Sequence, residues 1–236
     1  MIGTFTLVIE TSTPRASLAA IEPGGHLEQR EFTSDRSHNA VLFSPLKELL
    51  DARKESVVGL VLVGSGPGSY SGTRVGIAAA QGVAIACGCP AVAVPSILAV
   101  PSAQNGAACL AIGDARRGSF WTARMEKSRL LAEPELTEAS GLEVIVAEAI
   151  ADGLSVISFE EPGRFPLPPK LQAQVRLEFP NAERLWQAWQ ATRPEVSEKW
   201  LTESPQPMYL RPPHITPAKP QDSRGLRSVS QSRSAD

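Results

Sequence analysis

Cysteine is scarce in this chain of 236 residues, and its arrangement excludes more than its number does. Cys87, Cys89 and Cys109 form an odd set without the even framework of a disulfide scaffold or the spacing of a zinc site, and no histidine stands near them. They are expected to be buried thiols in a reducing compartment. Histidine is equally sparse: His26, His38 and His214 are the only ones, and none has a second histidine at metal-ligand spacing along a helix. No Gly-x-Ser-x-Gly elbow occurs, so Ser69 and Ser71 read as turn residues and not as nucleophiles. A surplus of positive charge is also missing. The 23 Lys and Arg residues face 25 Asp and Glu residues, a net charge of −2, which denies the chain the basic face of a free-standing RNA binder. No apolar run reaches the length of a membrane span, and the opening MIGTFTLVIETS has neither the basic start nor the long apolar core of a signal peptide. A globular cytoplasmic protein, 42% hydrophobic and 20% charged, is expected.

What is present is clearest in the first hundred residues. Thr4 to Thr11 and Arg15 to Ile21 are β-rich apolar runs, and His26 to Phe32 alternates loosely, as an edge strand would. Pro23-Gly24-Gly25 supplies a turn between the last two. Leu42, Leu46, Leu49 and Leu50 recur at helical spacing within Ser37 to Arg53, although Pro45 either delays or kinks that helix. Val57 to Val63 is a continuous apolar run of the kind buried in parallel sheets. A helix of mostly small residues spans Gly72 to Cys87, ended by Gly88 and Pro90, and Ala91 to Val94 is a fifth strand. Three antiparallel strands followed by helix, strand, helix, strand give the order of a ribonuclease-H-like lobe. Further on, Ala107 to Asp114 and Ser119 to Met125 form a strand pair, Glu143 to Ala151 a helix, Leu154 to Phe159 a strand and Asn181 to Thr192 a late helix. Prolines from Glu161 to Pro169 are expected to break regular structure, and no solenoid-type repeat is found. From Pro212 onward the chain has too few large apolar residues to offset its ordering entropy, so disorder is expected there.

Three segments are able to carry chemistry, each with two open readings. Gly64, Gly66, Gly68 and Gly72 lie between a buried strand and a helix start. Their amides can cradle an anion, or the glycines can make a tight turn that lets the helix pack closely. The segment is not a P-loop, because no Gly-Lys-Ser/Thr follows, and it lacks the spacing and distal acid of a dinucleotide fingerprint. Glu10 and Ser12 can belong to a phosphate hairpin or to a plain turn, and Pro14 and Arg15 leave no glycine for close phosphate approach. Asp114 with Arg116 and Arg117 is either a solvated turn with a structural ion pair or the acid that opens a kinase second lobe.

Ile9-Glu-Thr-Ser12, Gly66-Pro-Gly-Ser-Tyr-Ser-Gly-Thr-Arg-Val-Gly76, Gly82, Asp114-Ala-Arg-Arg-Gly118 and Pro207-Met-Tyr-Leu-Arg211 together resemble, in order, the motifs of the TsaB (YeaZ) family. The resemblance is dense over residues 5 to 125 and returns near Tyr209. It implies an α/β, two-lobed ribonuclease-H-like or actin-like (ASKHA) fold with a degenerate second lobe. The corresponding units are residues 1–104, 105–211 and a disordered tail, 212–236. It also implies a non-catalytic subunit that pairs with a TsaD-type catalytic subunit, alongside a TsaE-type ATPase, in forming threonylcarbamoyladenosine in tRNA. In this reading tRNA is met only through the complex, a second copy of the chain is a further candidate partner, and no membrane is involved. The family pairs through the two first-lobe helices, which assigns the interface to an exposed subset of Val41, Leu42, Leu46, Leu49, Val75, Ala79 and Val83. No cofactor is expected on the chain alone, ATP or ADP being expected at the complex interface; Glu10, Ser12, Gly66 and Gly68 are the candidate nucleotide contacts. Two departures stand out. Glu10 replaces the family's usual Asp, and Ser158 to Pro169 is proline-rich where relatives have a glycine-rich turn. The competing reading is a small actin-fold nucleotide-binding enzyme, kinase-like or glycoprotease-like.

Overall fold

The computed structural model describes residues 3–33 and 38–210. Strands β1 (Gly3–Glu10), β2 (Arg15–Ile21) and β3 (Leu27–Thr33) form an antiparallel meander. Helix α1 (His38–Asp51), strand β4 (Ser56–Gly64), helix α2 (Tyr70–Cys87) and strand β5 (Ala91–Val94) follow, and β4 and β5 add in parallel to give the order β3-β2-β1-β4-β5. α2 starts where Ser69 Oγ accepts the Gly72 N–H at 3.1 Å, and ends where Gly88 adopts φ 63° and its N–H reaches Ala84 O. That is the left-handed cap glycine makes easily. α1 runs through Pro45 without ending, forgoing one backbone hydrogen bond. Both helices cover one face of the sheet, with Leu42, Leu46 and Leu49 buried against Leu7, Ile9 and Val61. Each such leucine removes apolar surface worth about 2 kcal/mol.

A 3-10 turn at Ser96–Leu98 and the short helix α3 (Pro101–Gln104) lead to the second sheet. Strands β6 (Cys109–Asp114), β7 (Ser119–Glu126), β8 (Arg129–Leu130) and β9 (Glu135–Glu138) come first, then helix α4 (Ala139–Ala151) and strand β10 (Ser155–Ser158). Helix α5 (Pro169–Gln172) and strand β11 (Val175–Leu177) complete it. The order is β11-β10-β6-β7-β8, with β9 also on β7; β6 and β7 are antiparallel, while β10 and β11 are parallel to β6. This repeats the first sheet in order and in sense, so the chain is an α/β protein of two ribonuclease-H-like lobes. The repeat is one of topology and leaves no trace as a sequence period. In the second lobe the counterpart of α2 shrinks to a 3-10 turn at Pro162–Arg164 and the four residues of α5. The prolines keep regular structure out of 161–168 apart from that turn, as expected, and the segment is anchored by Phe165 and Leu167, buried against Leu142, Val146 and Val175.

Helices α6 (Ala182–Ala191) and α7 (Pro194–Thr202) do not extend the second sheet. They return to the first. Ala182 N donates to Ser17 Oγ at 2.8 Å, Gln81 Nε2 to Pro205 O at 3.2 Å, and Met208 N to Ser65 O at 2.8 Å. Ala182, Leu185 and Ala188 fill the space between the two sheets with Val8, Leu62 and Ile97. The segment assigned to the second unit on sequence therefore covers the inner face of the first. Cysteine burial also differs from expectation: Cys109 is buried, its thiol pushed up to about 11 by desolvation, but Cys87 is exposed and Cys89 half-buried. Cys87 closes the last turn of α2, where the outer face of that helix meets solvent. Among the described residues no helix is long and apolar enough to cross a membrane. The tail from 212, expected to be disordered, and Arg211 lie outside the described residues.

Candidate functional site

Four of the segments singled out in the sequence converge on one cleft of about 930 Å³ between the lobes. Its floor is the turn after β1. Ser12 is fully buried and lines the cleft, and Glu10, also fully buried, lies behind it without reaching it. Glu10 Oε1 accepts the Ser12 N–H at 2.7 Å, whereas Glu10 Oε2 and Ser12 Oγ have no well-formed partner. Burial raises the Glu10 carboxyl above its ordinary 4.5, with the nearby Ser12 and Ser96 pulling it back down.

The glycine loop forms one wall, and its glycines serve close packing. A Cβ at Gly68 would overlap Ser12 O, and one at Gly76 would overlap Thr11 Oγ1, which itself donates to Gly72 O at 2.8 Å. Several of the loop's amides are engaged within the protein: Ser65 N by Val94 O, Gly66 N by Ser96 Oγ, Ser69 N by Ser12 O, and Thr73 N by Ser69 O. Of the two open readings, the tight turn accounts for these bonds. Gly68 lines the cleft, while Gly66 is buried beneath it beside Thr73 and Ser96.

The facing wall is the β6–β7 turn, which occupies in the second lobe the place of the β1–β2 turn in the first. Asp114 accepts the Arg116 N–H at 2.6 Å and pairs with Arg116 and Arg164, each at 3.3 Å. Its second cationic partner is thus Arg164 and not Arg117, which the turn (φ 57°) directs elsewhere. Glu160 accepts the Asp114 N–H at 2.7 Å, and burial raises its carboxyl. The cleft is closed on one side by Met208, Tyr209 and Leu210, so Pro207-Met-Tyr-Leu meets Thr73-Arg74 although the two are far apart in sequence. Trp121, Phe159, Glu160, Glu161 and Arg164 also line it; they carry no motif, and only the topological repeat would have found them.

The expected interface residues divide. Leu42, Leu46, Leu49 and Ala79 belong to the core of the first lobe and are withdrawn from any surface, while Val41, Val75 and Val83 are half-buried. Burial falls this way because α2 is apolar on both sides. Its inward residues Thr73, Gly76, Ile77 and Ala80 meet the sheet, and Ser71, Ala78, Gly82 and Ile85 line up at helical spacing on the outside. Ile85 is 83% exposed and Phe43 of α1 55%. Nothing lies within 4 Å of a Cβ built on Gly82, so its own fold gives no reason for a glycine there. Among the described residues no group of three or more His, Cys, Asp and Glu is placed to hold a metal ion.

A family model described as TsaD, tRNA N6-adenosine threonylcarbamoyltransferase, matches residues 31–181. The chain is 28% identical over 164 residues to the tRNA threonylcarbamoyladenosine biosynthesis protein TsaB of Escherichia coli (strain K12), a match covering 65% of this chain and 68% of that protein. Among solved structures it is similar to YeaZ from Pseudomonas aeruginosa (TM-score 0.63, 20% identity, 88% of this chain and 100% of the other). A second structure, described as an uncharacterized protein with similarity to peptidase YEAZ from the same organism, gives TM-score 0.65 at 21% identity with the same coverage.

Proposed function

The chain belongs to the family of the TsaD model, as a protein of the TsaB (YeaZ) kind, and from that premise we propose that it is a non-catalytic partner subunit in the formation of threonylcarbamoyladenosine in tRNA. One observation carries the partner role. Over its whole length α2 has a single charged residue, Arg74, and a helix apolar on all sides is built to be buried on all sides. In the isolated chain its outer stripe of Ser71, Ala78, Gly82 and Ile85 is bare. A glycine mid-helix lowers stability by about 1 kcal/mol relative to alanine, and Gly82 has no neighbour that requires it. Its use is to let another backbone come close.

The occupant in this reading is a TsaD-type catalytic subunit, with a second copy of the chain taking the same face when that subunit is absent. The TsaE-type ATPase joins the assembly, ATP or ADP belongs to the complex interface, and a cytoplasmic location follows from the tRNA substrate. The chain's own residues favour support over catalysis. Asp114 is tied to two arginines, Cys109 is a desolvated thiol, and the amides of Ser65, Gly66, Ser69 and Thr73 already have acceptors.

The test is a reconstitution with one component left out at a time. Purified TsaD-type subunit, TsaE-type ATPase, threonylcarbamoyl-adenylate synthase and this chain are incubated with unmodified tRNA, and nucleosides are read by mass spectrometry. The chain alone should transfer nothing, and its omission should abolish modification. Undiminished modification in its absence would sink the assignment.

A further inference from the structure

Docking through the outer face of α2 leaves one feature of the cleft without a role. Tyr70 is 75% exposed and Tyr209 54%, two large rings held in water at the cleft mouth. Arg74 connects them. Its guanidinium lies 3.3 Å from the Tyr70 ring centroid and 5.3 Å from that of Tyr209, and Arg74 Nη1 donates to Tyr70 O at 2.9 Å. Met208 N on Ser65 O, at 2.8 Å, fixes the segment that carries Tyr209. The result is a ring, a cation and a ring, pinned at both ends, with much of each ring still open.

Such a ladder takes planar, polarisable groups by stacking. The chemistry of the surrounding cleft narrows the class. Arg116 and Arg164 share one wall of the cleft with Asp114, Glu160 and Glu161, so acid and base are nearly matched there, and the two arginines are already paired to Asp114. A free polyphosphate would want unpaired cations on that wall, and Arg74 opposite is engaged between the two rings. A base held chiefly by stacking would not. Tyr70 and Arg74 line the cleft while Ala78, Gly82 and Ile85 do not, so the two faces of α2 are free to work at once.

We propose that the Tyr70–Arg74–Tyr209 ladder is a stacking site for an unpaired nucleobase of RNA, through which this chain touches the nucleic acid directly. The source of the base rests on the reading of the chain as a tRNA-modification subunit; the stacking chemistry rests on the ladder. A net charge of −2 makes the contact weak in isolation, a local grip that adds to whatever a partner holds.

The experiment uses the full chain alone, irradiated with single-stranded RNA containing 5-iodouridine, with the crosslinked peptides mapped by mass spectrometry. Affinity for the same RNA is followed by fluorescence anisotropy at several salt concentrations. Crosslinks should fall on Tyr70 or Tyr209. Tyr70→Ala and Tyr209→Ala should each weaken binding about fivefold or more, with the salt slope unchanged, while Tyr70→Phe and Tyr209→Phe stay within about twofold of the parent. Crosslinks confined to other segments, or folded alanine variants that bind RNA like the parent, overturn the proposal. A proline-rich peptide that binds the tyrosines when RNA does not would assign the ladder to a polypeptide and overturn it equally. The ladder is thus tested without partner subunits, and the omission assay tests the modification role whatever the ladder binds.

Discussion

Glu10 and Gly64 fit one another: a Cβ built on Gly64 would overlap the Glu10 carboxylate, and Ser96 Oγ stands at the same spot. The longer acid at the end of β1 is accommodated because the neighbouring strand β4 ends in a residue without a side chain. The pair explains how the end of β1 holds a glutamate in full burial. Gly64→Ala should destabilise the protein by about 2 kcal/mol through overpacking. In a Glu10→Ala background the same change should be milder by about 1 kcal/mol or more, a coupling that a double-mutant cycle in urea reads directly.

The buried Glu10 carboxyl also sets a pH dependence. Its folded pKa lies above 4.5 because burial disfavours the charge. Its contribution is therefore fully present below pH 4.5 and is lost as pH rises through the folded value. Glu10→Gln should gain on the parent across that window and then hold a constant advantage. Glu28 has the opposite sign. Its hydrogen bond from the buried Arg53, at 2.8 Å, lowers its pKa, so this support is present above 4.5 and lost as pH falls through the lowered value. Arg53→Met should remove that acid-side loss while lowering stability near neutrality. Urea midpoints at a series of pH values check both.

Surface and core positions on the first-lobe helices should now separate. Ala78→Glu and Ile85→Asp place a charge on the bare stripe of α2, and should change the stability of the isolated chain by no more than about 0.5 kcal/mol. They should weaken pairing with the catalytic subunit by about 2 kcal/mol or more. Gly82→Ala should stabilise the isolated chain by up to about 1 kcal/mol and still loosen the pair. Leu46→Asp, in the core, should unfold the chain. Gel filtration and circular dichroism together distinguish these outcomes, and full pairing by Ile85→Asp would count against this face.

The isolated chain should bind ATP poorly and hydrolyse none. Gly66, Ser69 and Thr73 offer amides already bonded within the protein, and Asp114 holds the arginines that a triphosphate would need. Calorimetric titration in the presence of magnesium is the measurement. A tight complex with phosphate release would favour a kinase-like enzyme.

The first lobe was legible because its elements are long and its punctuation strong. Gly88 and Pro90 mark the end of α2, and β2 falls on Arg15–Ile21, the bounds of the apolar run. The second lobe was harder for a physical reason. β8 and β11 are two and three residues long, too short for any periodicity, and exist because β7 and β10 offer edges to pair with. The candidate site was legible as motifs and illegible as a place. Nothing in the chain says that Tyr209 rests beside Arg74, since that contact depends on a backbone bond between Ser65 and Met208. The inner and outer faces of α2 were indistinguishable as well, because both are small and apolar, and only packing reveals that Ala79 turns in while Ala78 turns out.

The return of α6 to the first sheet has a consequence for synthesis. Val8, Leu62 and Val92 emerge early from the ribosome, yet the residues that roof them, Ala182, Leu185 and Ala188, are made on the order of ten seconds later. Through that interval the nascent first half holds a finished strand order with one greasy side open to water and to chaperones. Its completion waits for residues 182 to 188 to be made, so a ribosome stalled past β5 would display a half-protein that is sticky instead of a small stable one. A premature stop anywhere before codon 182 should for the same reason yield aggregate or a proteolysed fragment, never a soluble lobe.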